Sequence, residues 1–201
     1  MIYIEGPRNA GKTYLLERYL KENPNKFYTY KFPYFSLYED LDLNKELNAG
    51  TYFSYGKDLD LLSLAKMNLL PENLILDRGF VSTIIFAMIF RKAKEEEMTK
   101  YIELIKEKYQ QVKMNILYVE PNVSNRDALG LSEDREKDNN ELPTLNLVGD
   151  SILDSTYQFK YKWVLEQLLN QPNINIHRFT NNFDEESVTS FNYLVNSLYK
   201  N

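Results

Sequence analysis

Met1-Ile2-Tyr3-Ile4-Glu5-Gly6-Pro7-Arg8-Asn9-Ala10-Gly11-Lys12-Thr13 is the stretch that decides how this chain folds. Its first five residues are a mostly apolar, β-prone run and predict a strand over 1–5. The next eight fit the spacing G-x-x-x-x-G-K-[ST]. A loop of this kind turns its backbone N–H groups inward onto phosphate oxygens. Its lysine reaches the outer phosphates and its threonine hydroxyl binds Mg²⁺. Gly6 and Gly11 permit the turn and the close approach of backbone to ligand. Beyond the loop, Leu15, Leu16, Tyr19 and Leu20 recur at helical spacing, so a helix is predicted over 12–23, ended by Asn23-Pro24. Its positive N-terminus faces the anion. A chance match in a glycine turn would lack the flanking strand and helix. Gly6, Arg8, Asn9, Ala10, Gly11, Lys12 and Thr13 therefore form the expected nucleotide-phosphate cradle.

Outward from the loop, strands and helices alternate. Strands are predicted over 27–32, 73–77, 115–120 and 174–180. Helices are predicted over 59–70, 80–91, 92–111, 151–169 and 184–198, and residues 33–48 as loop with a short helix. The 80–91 segment is apolar nearly all round, as a buried helix is. The 92–111 segment is charged and amphipathic, which suits a surface helix. Residues 125–140, NRDALGLSEDREKDNN, are dense in charge and predict an exposed, mobile segment. Strands alternating with helices give an α/β fold in three layers, a parallel sheet with helices on both faces. Ligands in such sheets sit at the carboxyl ends of the strands.

A second acidic site follows from Leu74-Ile75-Leu76-Asp77-Arg78. An aspartate at the tip of a buried strand beside the loop is placed to hold Mg²⁺, directly or through water. The next residue's guanidinium can fork onto phosphate oxygens. The bland reading is a surface Asp-Arg pair, and the Lys12 loop argues against it.

Composition narrows the field. The chain has 201 residues, 43% of them hydrophobic, enough for one compact domain over 1–201. A formal net charge of −5 does not favour broad nucleic-acid or membrane-surface binding. The absence of cysteine rules out disulfides, thiolate zinc sites and cysteine nucleophiles. The longest apolar run, 80–90, falls well short of the ~20 residues a membrane span needs. Residues 1–13 lack a signal-peptide layout, so a cytoplasmic location is expected.

With both sites placed, the chain resembles the thymidylate kinase and deoxynucleoside kinase group of P-loop kinases. Ile4-Glu5-Gly6 with Gly11-Lys12-Thr13 resembles the group's opening strand and loop. Asp77-Arg78-Gly79-Phe80-Val81-Ser82 resembles D-R-[aromatic]-x-x-S, and Ile116 to Pro121 the next strand. Ser155-Thr156-Tyr157 and Tyr161 resemble the aromatic helix after the lid, and Phe179 to Val188 the closing strand, adenine-side loop and last helix. The resemblance implies a P-loop NTPase fold with a short mobile lid at about 125–140, whose arginines would be Arg126 and Arg135. It also implies ATP and Mg²⁺ as cofactors, nucleotide substrates and often a homodimer. Three features depart from the thymidylate kinase pattern: no Arg stands in 59–70, Ile85-Phe86-Ala87 replaces A-Y-Q, and Gly79 replaces the aromatic. The phosphate-handling half matches, whereas the base-reading half does not.

The expected catalytic set is thus Lys12, Asp77, Arg78, Arg126 and Arg135, with Thr13 and Asp77 on the metal. Phe32, Tyr34, Tyr55 and Arg78 are the expected acceptor-binding residues, since aromatics there can stack on a base. Glu39 and Asp40 are the carboxylates that would deprotonate a hydroxyl acceptor. Glu5 ends its strand at the edge of the loop, and the sequence leaves its role open. His177, the only histidine, is read as structural. The leading expectation is phosphoryl transfer from ATP to a (deoxy)nucleoside monophosphate. The alternatives are a kinase for a hydroxyl acceptor, a deoxynucleoside or a polynucleotide 5′-end, and a nucleotide-binding switch without transfer. Nucleic acid enters only as that 5′-end.

Overall fold

The computed structural model describes residues 1–24, 28–31, 43–71, 74–90, 93–129 and 150–199. Five parallel strands, β1 (Ile2–Glu5), β2 (Tyr28–Lys31), β3 (Leu74–Asp77), β4 (Met114–Pro121) and β5 (Ile174–Asn181), form one sheet in the order β2-β3-β1-β4-β5. Between them run α1 (Lys12–Glu22), α2 (Leu43–Lys66), α3 (Phe80–Phe90), α4 (Glu95–Lys108), α5 (Val123–Ala128), α6 (Asp150–Leu168) and α7 (Glu185–Leu198). The three-layer α/β architecture with a parallel sheet is therefore present.

Alternation of side chains along β1 sorts the two faces. Ile2 and Ile4 join Leu15, Leu16 and Tyr19 of α1 and Val188, Phe191 and Val195 of α7. Tyr3 faces the other way, into a larger core with Phe80, Val81 and Ile84 of α3, Ile102 and Ile105 of α4, and Tyr161 and Val164 of α6. The central strands β1 and β3 are buried at every position, as parallel strands covered on both faces are. The chain leaves β1 toward β2 and leaves β3 toward β4, so the order reverses between β1 and β3. Ile4 stands opposite Asp77 in that pair. The crevice at such a reversal is where an open α/β sheet receives its ligand.

Two elements differ from the sequence reading. Helix α2 begins at Leu43, inside the segment read as loop and short helix, and ends at Lys66, short of residue 70. Only its second half carries a clear apolar repeat. Its end is set by Asn68, whose φ of 56° and the Leu69 N–H bond to Leu64 O (2.9 Å) make a left-handed helix stop. The charge-dense segment also starts differently. Asn122 caps α5 by accepting from the Asn125 N–H (3.3 Å), so 125–128 are helical and Arg126 is buried, where charge density alone had predicted exposure. No helix among the described residues is long and apolar enough to cross a membrane.

Candidate functional site

The 6–13 loop joins β1 to α1, and its glycines are demanded by neighbours as well as by ligand. Gly6 has φ 146°, and a Cβ there would stand 2.2 Å from the Val119 carbonyl oxygen of β4. Gly11 has φ 77°, and a Cβ there would stand 2.3 Å from Asn181 Nδ2. Asn9 also takes a left-handed φ, 57°, which asparagine tolerates better than most residues. Lys12 is buried and its Nζ donates to the Pro7 carbonyl, so the side chain folds back across its own loop. Thr13 Oγ1 donates to Asp77 Oδ2 at 3.1 Å. Asp77 Oδ1 is buried with no hydrogen-bond partner among the described residues. A hydroxyl and a carboxylate side by side are hard oxygen donors and suit Mg²⁺ shared with phosphates.

Arg78 leaves the end of β3 with φ 74°, a conformation costing on the order of 1–3 kcal/mol for a non-glycine residue. Its N–H still bonds to Ile4 O (3.0 Å), so the kink follows directly on the strand pairing. The kink carries the guanidinium back over the loop. Nη1 donates to Gly6 O (3.1 Å) and to Ser82 Oγ (3.3 Å), and the Phe86 ring lies 5.3 Å beneath. Tyr157 of α6 meets that ring edge-on at 6.1 Å.

Under Arg78 lies a buried polar group that sequence reading left unassigned. Glu5 is fully buried, and burial pushes its carboxyl up to about 7 against the pull of Ser82, Arg78 and Lys12. Ser82 Oγ bonds to Glu5 Oε2, lies 3.1 Å from Tyr161 Oη, and Tyr161 Oη donates to Gly6 O at 2.8 Å. Glu5 Oε1 has no hydrogen-bond partner among the described residues. A second buried carboxyl, Asp58 of α2, accepts from Tyr101 Oη (3.3 Å), and burial pushes it well above the usual range. In sequence, Asp58 carries no signal of this, because it stands just ahead of the predicted 59–70 helix. The signal for Ser82 was its place in Asp77-Arg78-x-x-x-Ser82.

On the opposite flank an asparagine cluster ties the loop to β4, β5 and α5. Asn181 Nδ2 donates to Ala10 O (3.0 Å) and its Oδ1 accepts from the Phe183 N–H (2.9 Å). Asn122 N–H reaches Asn181 O (2.8 Å), and Asn125 Nδ2 reaches Asn182 O (3.1 Å). Arg126, next along α5, bonds to Asp127 at 2.9 Å.

Of the expected residues, the structure brings together Gly6, Asn9, Ala10, Gly11, Lys12, Thr13, Asp77 and Arg78. Arg8 sits half-exposed within the loop. Tyr55 stacks on Tyr101 of α4 at 4.2 Å, and its hydroxyl donates to Met98 Sδ (2.9 Å), so it packs α2 against α4. Phe32, Tyr34, Glu39, Asp40 and Arg135 lie outside the described residues.

No protein-family model matches the chain, and no curated protein does. Among solved structures it is similar to deoxyadenosine kinase from M. mycoides with bound dATP, at 17% identity and TM-score 0.61 over 97% of this chain and 98% of that one. The same kinase with bound dCTP matches at 15% identity and TM-score 0.54, over 98% and 100%. YorR protein from Bacillus subtilis, in complex with phosphorylated GDP, matches at 18% identity and TM-score 0.54, over 100% and 98%. The described residues share the α/β fold of these structures.

Proposed function

We propose that this chain is an ATP-dependent phosphotransferase acting on the 5′-hydroxyl of a deoxynucleoside. The observation that carries the transferase reading is the pairing of Thr13 with Asp77 beside Lys12, at the ends of two adjacent strands. That arrangement is what a triphosphate and Mg²⁺ require. Similarity to deoxyadenosine kinases supports a nucleoside as acceptor, in place of the monophosphate expected first.

In the reaction the acceptor oxygen attacks the γ-phosphorus, and the bond from that phosphorus to the β-phosphate oxygen breaks. ADP leaves, and the hydroxyl proton passes to a carboxylate, for which Glu39 and Asp40 are the sequence candidates. Backbone N–H groups of the loop and Lys12 hold the phosphates in line. Thr13 and Asp77 would hold Mg²⁺, which supplies charge neutralisation to the transferring group. Arg78, bent over Gly6, steadies the same charge, and Arg126 and Arg135 join it in this reading. A homodimer and a cytoplasmic location belong to the same proposal.

A second reading, transfer to a nucleoside monophosphate, rests on the guanidinium at the loop mouth, because extra positive charge suits two phosphorylated ligands. The test is ADP production at saturating Mg·ATP with deoxynucleosides, deoxynucleoside monophosphates and 5′-hydroxyl oligonucleotides in parallel. Stimulation by deoxynucleosides above the others is the expected result. Preference for monophosphates moves the assignment to the second reading. Binding of ATP without acceptor-dependent ADP makes the chain a nucleotide-binding switch.

A further inference from the structure

The Gly6 carbonyl, first in the phosphate loop, accepts two hydrogen bonds from side chains of distant elements. One comes from Arg78 at the end of β3 and one from Tyr161 in the middle of α6. Tyr161 is fully buried, its ring tilted against Tyr118 at 5.0 Å, and its hydroxyl meets Ser82 Oγ and the Gly6 carbonyl. Three oxygens therefore stand in line behind that carbonyl: Tyr161 Oη, Ser82 Oγ and Glu5 Oε2.

Counting protons along the line shows what it does. Each hydroxyl has one proton to donate. With Glu5 protonated, the acid donates to Ser82, Ser82 donates to Tyr161, and Tyr161 donates to Gly6 O, so every contact holds one proton. With Glu5 ionised, Ser82 must turn its proton to the carboxylate. Tyr161 then either leaves its contact with Ser82 without a proton or turns toward Ser82 and releases Gly6 O. Arg78 remains on the carbonyl in both states. We propose that Glu5, Ser82 and Tyr161 are positioning residues for the phosphate loop, a hydrogen-bond chain that fixes the Gly6 carbonyl when Glu5 carries its proton.

The surroundings of Glu5 favour that proton. Arg78 and Lys12 oppose it, but burial outweighs both and raises the carboxyl to about 7. Burial first, and the Glu5 charge after it, raise Asp58 of α2, Tyr3 of β1 and Tyr161 of α6. Ser82 faces Glu5 from α3.

The inference deepens the nucleotide-binding part of the proposed function and rests on it, so it is tested by binding, without an acceptor. A fluorescent ATP analogue with Mg²⁺ is titrated into the full chain and its variants. Tyr161→Phe keeps the ring and removes both of its hydroxyl contacts, and Ser82→Ala breaks the line at its centre. Each weakens Mg·nucleotide binding about tenfold, the scale of one well-placed hydrogen bond. Glu5→Leu does the same. Glu5→Gln restores affinity, because its amide N–H donates to Ser82 as the acid does. Wild-type affinity falls from pH 6 to 8, and the Gln variant holds level. A Tyr161→Phe protein that binds within twofold of wild type overturns the proposal, and so does a Gln variant as weak as the Leu one. If Tyr161→Phe loses its cooperative unfolding transition, Ser82→Ala decides on the same twofold threshold. A wild type that binds the analogue normally but transfers nothing to any acceptor defeats the transferase reading and leaves this one standing.

Discussion

Lys12 shows how a single side chain can matter to ligand and little to fold. It is buried, yet its charged end donates to the Pro7 carbonyl of its own loop and lies outside both apolar cores. Lys12→Ala is therefore expected to lower turnover by at least 10²-fold, the range seen when one preorganised electrostatic contact to the reacting group is lost. Its unfolding midpoint in urea should stay near that of wild type; a variant with full turnover would refute the phosphate role. Asp77→Asn keeps the Thr13 contact geometry but removes the charge that suits the cation. It should raise the Mg²⁺ concentration needed for half-maximal rate, measured at fixed ATP. Glu5 behaves in the opposite sense to both. Its unfolded carboxyl releases a proton near 4.5, whereas the folded one keeps it to about 7. Between those values the folded state binds more protons, so stability falls as pH rises and the penalty persists in full above 7. Its ceiling is on the order of 3–4 kcal/mol, since a difference of one in pKa is worth about 1.36 kcal/mol. Glu5→Gln should thus be more stable than wild type at pH 8 and nearly equal at pH 4, which paired urea melts would reveal. The phosphate loop was legible because its chemistry dictates residue types at fixed spacing. The place of Glu5 was not, since nothing local says that Ser82 and Tyr161, 77 and about 156 residues away, close over it.

Elements were legible where one face is apolar and less so where tertiary contacts decide. Helix α1 and strands β1 and β3 stand where periodicity placed them, because burial on one or both sides writes itself into the sequence. The start of helix α2 lies ahead of the predicted one, since Asn44, Asn48, Gly50, Thr51 and Gly56 are weak helix formers and its first half shows no apolar repeat. What fixes its second half is α4: Tyr55 stacks on Tyr101, and Asp58 accepts from the same tyrosine's hydroxyl. The turn from β3 into α3 carries a similar lesson. Gly79 stands where the resembling kinases carry an aromatic, and a Cβ there would lie 2.2 Å from Tyr3 Cδ1. The Tyr3 ring has taken the space, held edge-on by Phe80 at 5.4 Å. In this chain the space that an aromatic or even a Cβ at the turn would need is therefore filled from β1. Gly79→Ala should destabilise by about 1–3 kcal/mol through overpacking. The loss should shrink in a Tyr3→Leu background, a coupling that a double-mutant cycle on chemical denaturation would measure. Additive losses would show that the ring is not the obstacle.

At the scale of the molecule, the loop is held by most of the sheet. Gly6 abuts Val119 of β4, Gly11 abuts Asn181 at the end of β5, Thr13 reaches Asp77 of β3, and Tyr161 reaches in from α6. A ligand gripped by the loop is then coupled to β1, β3, β4 and β5 together, and binding should register as global stability. The alternation of strands and helices made the parallel sheet legible in advance, but not its order. In the order β2-β3-β1-β4-β5 it is the pairing of β3 with β1 that puts Asp77 beside the loop, with Ile4 as its partner in register. For a ligand that binds only the folded state, 100-fold excess over Kd adds about 2.7 kcal/mol. For a chain of 201 residues that corresponds to roughly 5–10 °C in Tm, taking about 2–4 °C per kcal/mol at this size. Mg·ATP should therefore raise Tm by that amount in a single cooperative transition, read by calorimetry. Lys12→Ala should abolish the shift and move the ligand-free Tm little, because its charged end serves the phosphates and lies outside both apolar cores. Breaking the Asn181–Ala10 bond with Asn181→Ala should reduce both, because that contact belongs to the frame as well as to the loop. A ligand-induced second transition would mean that the loop and the sheet melt separately. In that case the contacts to Val119, Asn181, Asp77 and Tyr161 do not transmit the grip on the phosphates to the rest of the sheet.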